Sequence, residues 1–138
     1  MKPTVRVLAF LAAIALISPA SHGQILTGAQ AQKSPQADAF LAYEGALLKG
    51  GLEAAKPHMT PEKTMDLEMM RKVFGDEGFK QFLDKMRGGA QGEARRSQIF
   101  KVDVKGERAV LEARDSPNVV TEQFLLKTKD GWKVHVRK

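Results

Sequence analysis

The sequence predicts an α+β domain with its helices first and a four-stranded antiparallel sheet after them. Three observations predict it. Apolar residues recur at helical spacing between residues 34 and 88, as in Phe79, Phe82, Leu83 and Met86 at i, i+3, i+4 and i+7. Beyond residue 95 the period changes to two, as in Val102 and Val104 alternating with Lys101 and Asp103. Turn residues then separate the strands by only a few positions, which requires antiparallel neighbours.

The elements follow in order. Lys2 and Arg6 precede an unbroken apolar run of 11 residues, Val7 to Ile17, followed by the small and turn-forming residues Ser18 to Gly23. This is the three-part layout of a secretory signal peptide. As a helix the run spans roughly 16 Å against a hydrocarbon core of about 30 Å, so no stable membrane anchor is expected. Residues 1–23 are read as the leader, released at Gln24, with Ala29-Gln30-Ala31 as a later alternative cut. Export to the periplasm or medium follows. Residues 24–33, rich in Gln, Ala and Gly, read as a linker, and 34–138 as one domain.

Ser34-Pro35 supplies an N-cap and a proline at the first helical position. Ala37, Phe40, Leu41, Leu47 and Leu48 form the apolar face, and Gly50-Gly51 ends the helix. A brief segment from Leu52 to Lys56 stops at Pro57. Thr60-Pro61 repeats the cap, Met65, Met69, Met70, Val73 and Phe74 continue to Gly75, and a further helix runs from Asp76 to Gly88-Gly89. In the strand region, Phe100, Val102 and Val104 share a face, as do Ala109, Leu111 and Ala113. Asp115-Ser116-Pro117-Asn118 reads as a turn. Val120, Glu122, Phe124 and Leu126 form the third inward face, and Trp132, Val134 and Val136 the fourth.

Composition narrows the chemistry. The 138 residues include no cysteine, which excludes disulfides, Cys-ligated metal and a thiol nucleophile. The net charge is +6; residues 1–31 hold two basic and no acidic residues, leaving +4 for the remainder. That mild excess is no footprint for nucleic acid. No H-x-x-x-H, H-E-x-x-H or G-x-S-x-G spacing occurs, which argues against zinc hydrolases and serine hydrolases. Arg87-Gly88-Gly89 lacks a following G-K-[ST] and reads as a helix stop.

The layout resembles the nuclear transport factor 2-like superfamily, and within it the small secreted bacterial domains that are similar to lumazine-binding proteins. The segments that carry the likeness are Phe40 to Leu52 (FLAYEGALLKGGL), Val102 to Leu111 (VDVKGERAVL) and Gln123 to Val134 (QFLLKTKDGWKV). The resemblance implies a cone in which a curved sheet wraps a long helix and leaves a pocket. Its members include ketosteroid isomerases, dehydratases, polyketide cyclases and non-catalytic binding or dimerisation modules, so the fold alone assigns no activity.

Three functional expectations result. The first is an exported, non-enzymatic binding module that needs no cofactor. Its apolar concavity, lined by Phe40, Met69, Phe82, Phe124 and Trp132, holds a small apolar ligand, a protein or a second copy of the chain. The second is an isomerase or dehydratase with Glu122 as general base, since Glu122 is the one sheet acid placed inward by alternation; the plainer reading sets it in solvent at a strand end. The third is Cu(I) binding through His58, Met59, Met65 and Met69, whose soft thioethers suit that ion; the plainer reading makes the methionines core filler. Lys133, His135 and Arg137 alternate to the outer face of the last strand, where they form a surface for anionic partners or simply a solvated edge.

Overall fold

The structure, a computed structural model, describes residues 23–137, so the apolar run and most of the leader lie outside the described residues. Helices pack on one face of an open antiparallel sheet of five strands in the order β1-β2-β3-β4-β5. The elements are β1 (Gln24–Thr27), α1 (Gly28–Gln32), α2 (Pro35–Ala55), a 3-10 turn (Lys56–His58), α3 (Pro61–Arg87), α4 (Glu93–Arg96), β2 (Ile99–Lys105), β3 (Arg108–Ser116), β4 (Val119–Thr128) and β5 (Gly131–His135).

The stretch expected as a linker forms an additional strand, β1, and the short helix α1. Gln24 to Thr27 pairs with Val104 to Lys101, so a strand precedes the helices. Its four residues carry little pattern of their own. What recruits them is the edge of β2, whose backbone groups would otherwise lack partners. Helix α1 is held by the full burial of Ala31 and by Gln32 Nε2, which donates to the carbonyls of Ser97 and Ile99.

Both long helices break where glycines were expected to end them. Gly51 (φ 77°, ψ −164°) interrupts α2 and Gly75 (φ 79°, ψ 168°) interrupts α3. Side chains other than hydrogen do not tolerate that region of φ/ψ space. Ser34 and Thr60 cap the helices through their hydroxyls, which accept from the amides of Ala37 and Lys63.

The faces of the sheet follow expectation in β3 and depart from it on both sides. Ala109, Leu111 and Ala113 are buried. They stand opposite Leu125, Gln123 and Thr121, so β4 is rotated by one residue from the expected phase. Leu125, opposite Ala109 and Val134, is inward and nearly fully buried. Val120, Glu122, Phe124 and Leu126 therefore occupy the outer face. Phe124-Leu125-Leu126 is apolar at three successive positions, so period two cannot choose the phase, and cross-strand register does. In β2 a bulge between Ile99 and Lys101 has a similar effect. Ile99 is buried, while Phe100 lies beneath the Arg114 guanidinium at 4.9 Å.

The last strand is closed by the helix cap. Met59 bridges Val134 in parallel fashion, and the Thr60 amide donates to the Val134 carbonyl at 2.9 Å. Thr60 Oγ1 and His135 Nδ1 are hydrogen-bonded at 2.7 Å. His135 is thus buried, not a member of an exposed basic row. Among the described residues no helix is long and apolar enough to cross a membrane.

Candidate functional site

Helical spacing places Glu44 on the buried face of α2, four residues after Phe40 and three before Leu47. It is 9% exposed. An acid in that position needs a partner, and α4 supplies it. Arg95, 8% exposed, grips the carboxylate with two bonds: Nε donates to Oε1 and Nη2 to Oε2, each at 3.2 Å. Its Nη1 donates to Gln98 Oε1 at 2.7 Å and to Asp115 Oδ1 at 2.5 Å. The guanidinium also stands 5.3 Å from the centre of the Phe40 ring. Thr121 Oγ1 donates to the same Asp115 oxygen at 3.1 Å.

This cluster forms the polar wall of a cavity of about 310 Å³. The facing wall is apolar: Phe82 and Met86 from the second half of α3, with Gly89 and Ala90 from the loop that follows; Lys85 also borders the space. A second hollow of about 440 Å³, lined by Leu41, Leu48, Lys49 and Gly92 among others, also reaches Glu44. Arg87 pins the start of the intervening loop by donating from Nε and Nη2 to the Leu48 carbonyl at 3.1 and 2.7 Å.

Burial pushes the Glu44 carboxyl above its ordinary value; the Arg95 guanidinium pulls it back and Asp115 adds to the rise. Burial likewise raises the neighbouring Tyr43 hydroxyl, with Glu44 and Asp66 adding to it. For an acid with a raised folded-state pKa, the folded chain takes up its proton at higher pH than the unfolded chain. The ionised group therefore costs stability above the raised value, and that cost is relieved as pH falls toward the ordinary 4.5. The Glu44 side-chain carbon resonance is expected to titrate with a midpoint above 4.5. A midpoint at or below it would show that the Arg95 charge outweighs burial.

The residues expected to line one concavity are dispersed. Phe82 does line the cavity. Phe40 lies fully buried beneath Arg95, and Trp132 packs at the margin of the core. Met69 is 60% exposed on the solvent side of α3. Phe124 is on the outer sheet face, 4.8 Å beneath the Arg137 guanidinium. Glu122 faces out with it and pairs with Arg137 at 2.6 Å. Its side chain is 42% exposed, so it is not the inward acid that strand alternation predicts.

Glu122, Phe124, His135 and Arg137 do meet, together with Lys63 and Asp66, around an outer hollow of about 360 Å³. Burial lowers the Lys63 ammonium there, against the pull of Asp66. Lys133 lies farther along β5, opposite Leu126. The methionine cluster is not assembled: Met59 is buried in the core while Met65 and Met69 face solvent, and His58 sits in the 3-10 turn. Among the described residues no group of three or more His, Asp or Glu side chains is arranged to hold a metal ion.

Sequence reasoning missed Glu44, Arg95 and Asp115. The signal for Glu44 was present, a charge inside an apolar helical stripe. Nothing local marked its partner, 51 positions away. Asp115, expected in a turn, is the penultimate residue of β3. Comparisons with family models, with curated proteins and with solved structures return no match for this chain.

Proposed function

We propose that this chain is an exported, non-enzymatic binding module that holds a small molecule in the cleft between Glu44, Arg95 and Asp115 on one side and Phe82 and Met86 on the other. The observation that carries the reading is the cavity of about 310 Å³ with one polar and one apolar wall. That combination orients an amphipathic ligand, and a few placed polar groups in an otherwise apolar recess are the usual make-up of ligand sites. Binding is preferred to catalysis because the Arg95 guanidinium engages both Glu44 oxygens and opposes proton uptake there, although burial raises the carboxyl overall.

Export rests on the leader layout. The earlier cut point is supported by β1, since release at Gln24 keeps the strand whole, whereas release after Ala31 removes it along with the buried Ala31 side chain. One experiment tests location and binding together: native mass spectrometry of the protein recovered from the periplasm or medium of its own cells. The expected result is a chain beginning at Gln24 with a small molecule retained, and an Ala90→Trp variant, which fills the cleft, recovered without it. A bare wild-type chain that takes up no small molecule would overturn the binding reading; recovery only from cytosol with Met1 in place would overturn export.

A further inference from the structure

Resting on the export just proposed, we infer that one end of the sheet is a seat for the anionic headgroups of a membrane surface. The two-residue turn Gly106-Glu107, with Gly106 at φ 62°, sets Lys105 directly opposite Arg108. Arg108 is opposite Leu126, and Leu126 is opposite Lys133. Three cations and a leucine thus form one row across the outer face. Lys127 and Lys129 stand at the next turn, and with Gly106, Glu107 and Thr128 they line a hollow of about 450 Å³ between the two turns.

Like charges placed directly opposite each other weaken a sheet, and the fold does not neutralise these. Among the described residues none of the five cations makes an ion pair or a side-chain hydrogen bond. The other cations of the outer face are engaged: Lys101 pairs with Glu112, Arg137 with Glu122, and Arg114 lies over Phe100. The acids at this end are Glu107 and Asp130. Of the 22 basic residues all but Lys2, Arg6 and Lys138 are described, against all 16 acidic ones, a net of +3. Five basic and two acidic residues give this end the whole of that excess. With Asp103, one row away, it still holds +2.

Two observations favour a membrane over an acidic protein. Residues 1–22, which contain the apolar run, join the described chain at this end: Gly23 lies beside the Lys105 side chain, and Gln24 is opposite Val104. Until the leader is cut, this end of the domain is the part tethered at the bilayer. Apolar side chains also stand among the cations. Ile25 is 60% exposed on the outer face opposite Asp103, and Leu126 is half-buried between Arg108 and Lys133. Basic residues that meet lipid phosphates, set around apolar ones that reach the acyl boundary, make an interfacial contact. An acidic protein would use the cations alone.

The test uses the protein recovered from the periplasm or medium, sedimented with vesicles of phosphatidylcholine alone or of phosphatidylcholine and phosphatidylglycerol in equal parts. Binding is expected to the anionic vesicles only, and to fade as salt rises. At about fivefold for each cation near the surface, Lys105→Gln/Arg108→Gln/Lys133→Gln should weaken it by at least about tenfold. Lys33→Gln/Lys49→Gln/Lys72→Gln removes the same charge from elsewhere and should change it by less than about threefold, since charges beyond the screening length contribute little. None of the six side chains is buried, so both variants should fold. Equal weakening by the two variants, or equal binding to both kinds of vesicle, would overturn the seat. Binding to poly-glutamate but to neither vesicle would overturn the membrane in favour of an acidic protein, and binding to none of the three would overturn the surface altogether; each of these leaves export standing. A chain found only in the cytosol with Met1 in place would overturn export and, with it, the membrane as partner.

Discussion

Arg95→Met is expected to destabilise the fold by about 3–5 kcal/mol, because it strands the Glu44 carboxylate in a buried position without its counter-ion. Arg95 also tethers Gln98 and Asp115, so one substitution releases three partners and the wall of the cleft with them. At roughly 4 °C for each kcal/mol in a domain of this size, the melting temperature should fall by about 12–20 °C. The double variant Glu44→Leu/Arg95→Met is the informative control. It removes both charges and replaces them with apolar groups of similar bulk, an exchange that is often neutral or even stabilising. The double variant is therefore expected to be more stable than the Arg95→Met single. Thermal unfolding followed by circular dichroism checks this. A single variant that loses less than about 1 kcal/mol, the scale of an exposed pair, would mean that Glu44 escapes to water through the cleft.

The second large effect is expected at Phe40. Its ring is fully buried, and its face carries the Arg95 guanidinium. Phe40→Ala should cost about 3–5 kcal/mol through lost burial and the cavity left behind. Phe40→Leu keeps most of the volume and should cost about 1–2 kcal/mol. Phe74 provides the comparison within the same protein, since it is 68% exposed beside the break in α3. Phe74→Ala is expected to stay within about 0.5 kcal/mol of the parent. Urea unfolding of the three variants distinguishes these outcomes by their midpoints. Equal losses at Phe40 and Phe74 would refute the placement of the core.

Salt should separate the polar cluster from the rest of the charged surface. The exposed pairs, such as Arg137 with Glu122 and Lys80 with Asp84, are open to screening by ions at physiological strength. Glu44 with Arg95 is shielded from those ions by its burial. Its contribution therefore persists at ionic strengths that erase the surface pairs.

Much of this architecture was legible from one-dimensional signals because the signals were local. The two Ser/Thr-Pro starts, the breaks at Gly51 and Gly75 and the turns between the later strands each depend on a few adjacent residues. Local backbone preferences are enough to specify such features. The inward face of β3 was legible for a related reason, as Ala109, Leu111 and Ala113 alternate cleanly with larger or charged neighbours. Glu44 was legible in part, since its position in an apolar helical face declares a buried acid without naming what neutralises it.

Tertiary structure decided the rest, wherever the choice depended on residues distant in the chain. Gln24 to Thr27 became a strand because β2 offered an open edge. The phase of β4 was decided by Ala109 and Val134 on either side of Leu125, and that one-residue choice sent Glu122 and Phe124 to the outer face. His135 was buried by a threonine 75 positions away. The cleft itself has no sequence signature, because its walls come from α2, α3, α4 and β3. Periodicity shows which face of an element turns inward. Only packing shows which charges meet there, since a buried charge is tolerated only where a distant partner arrives to neutralise it.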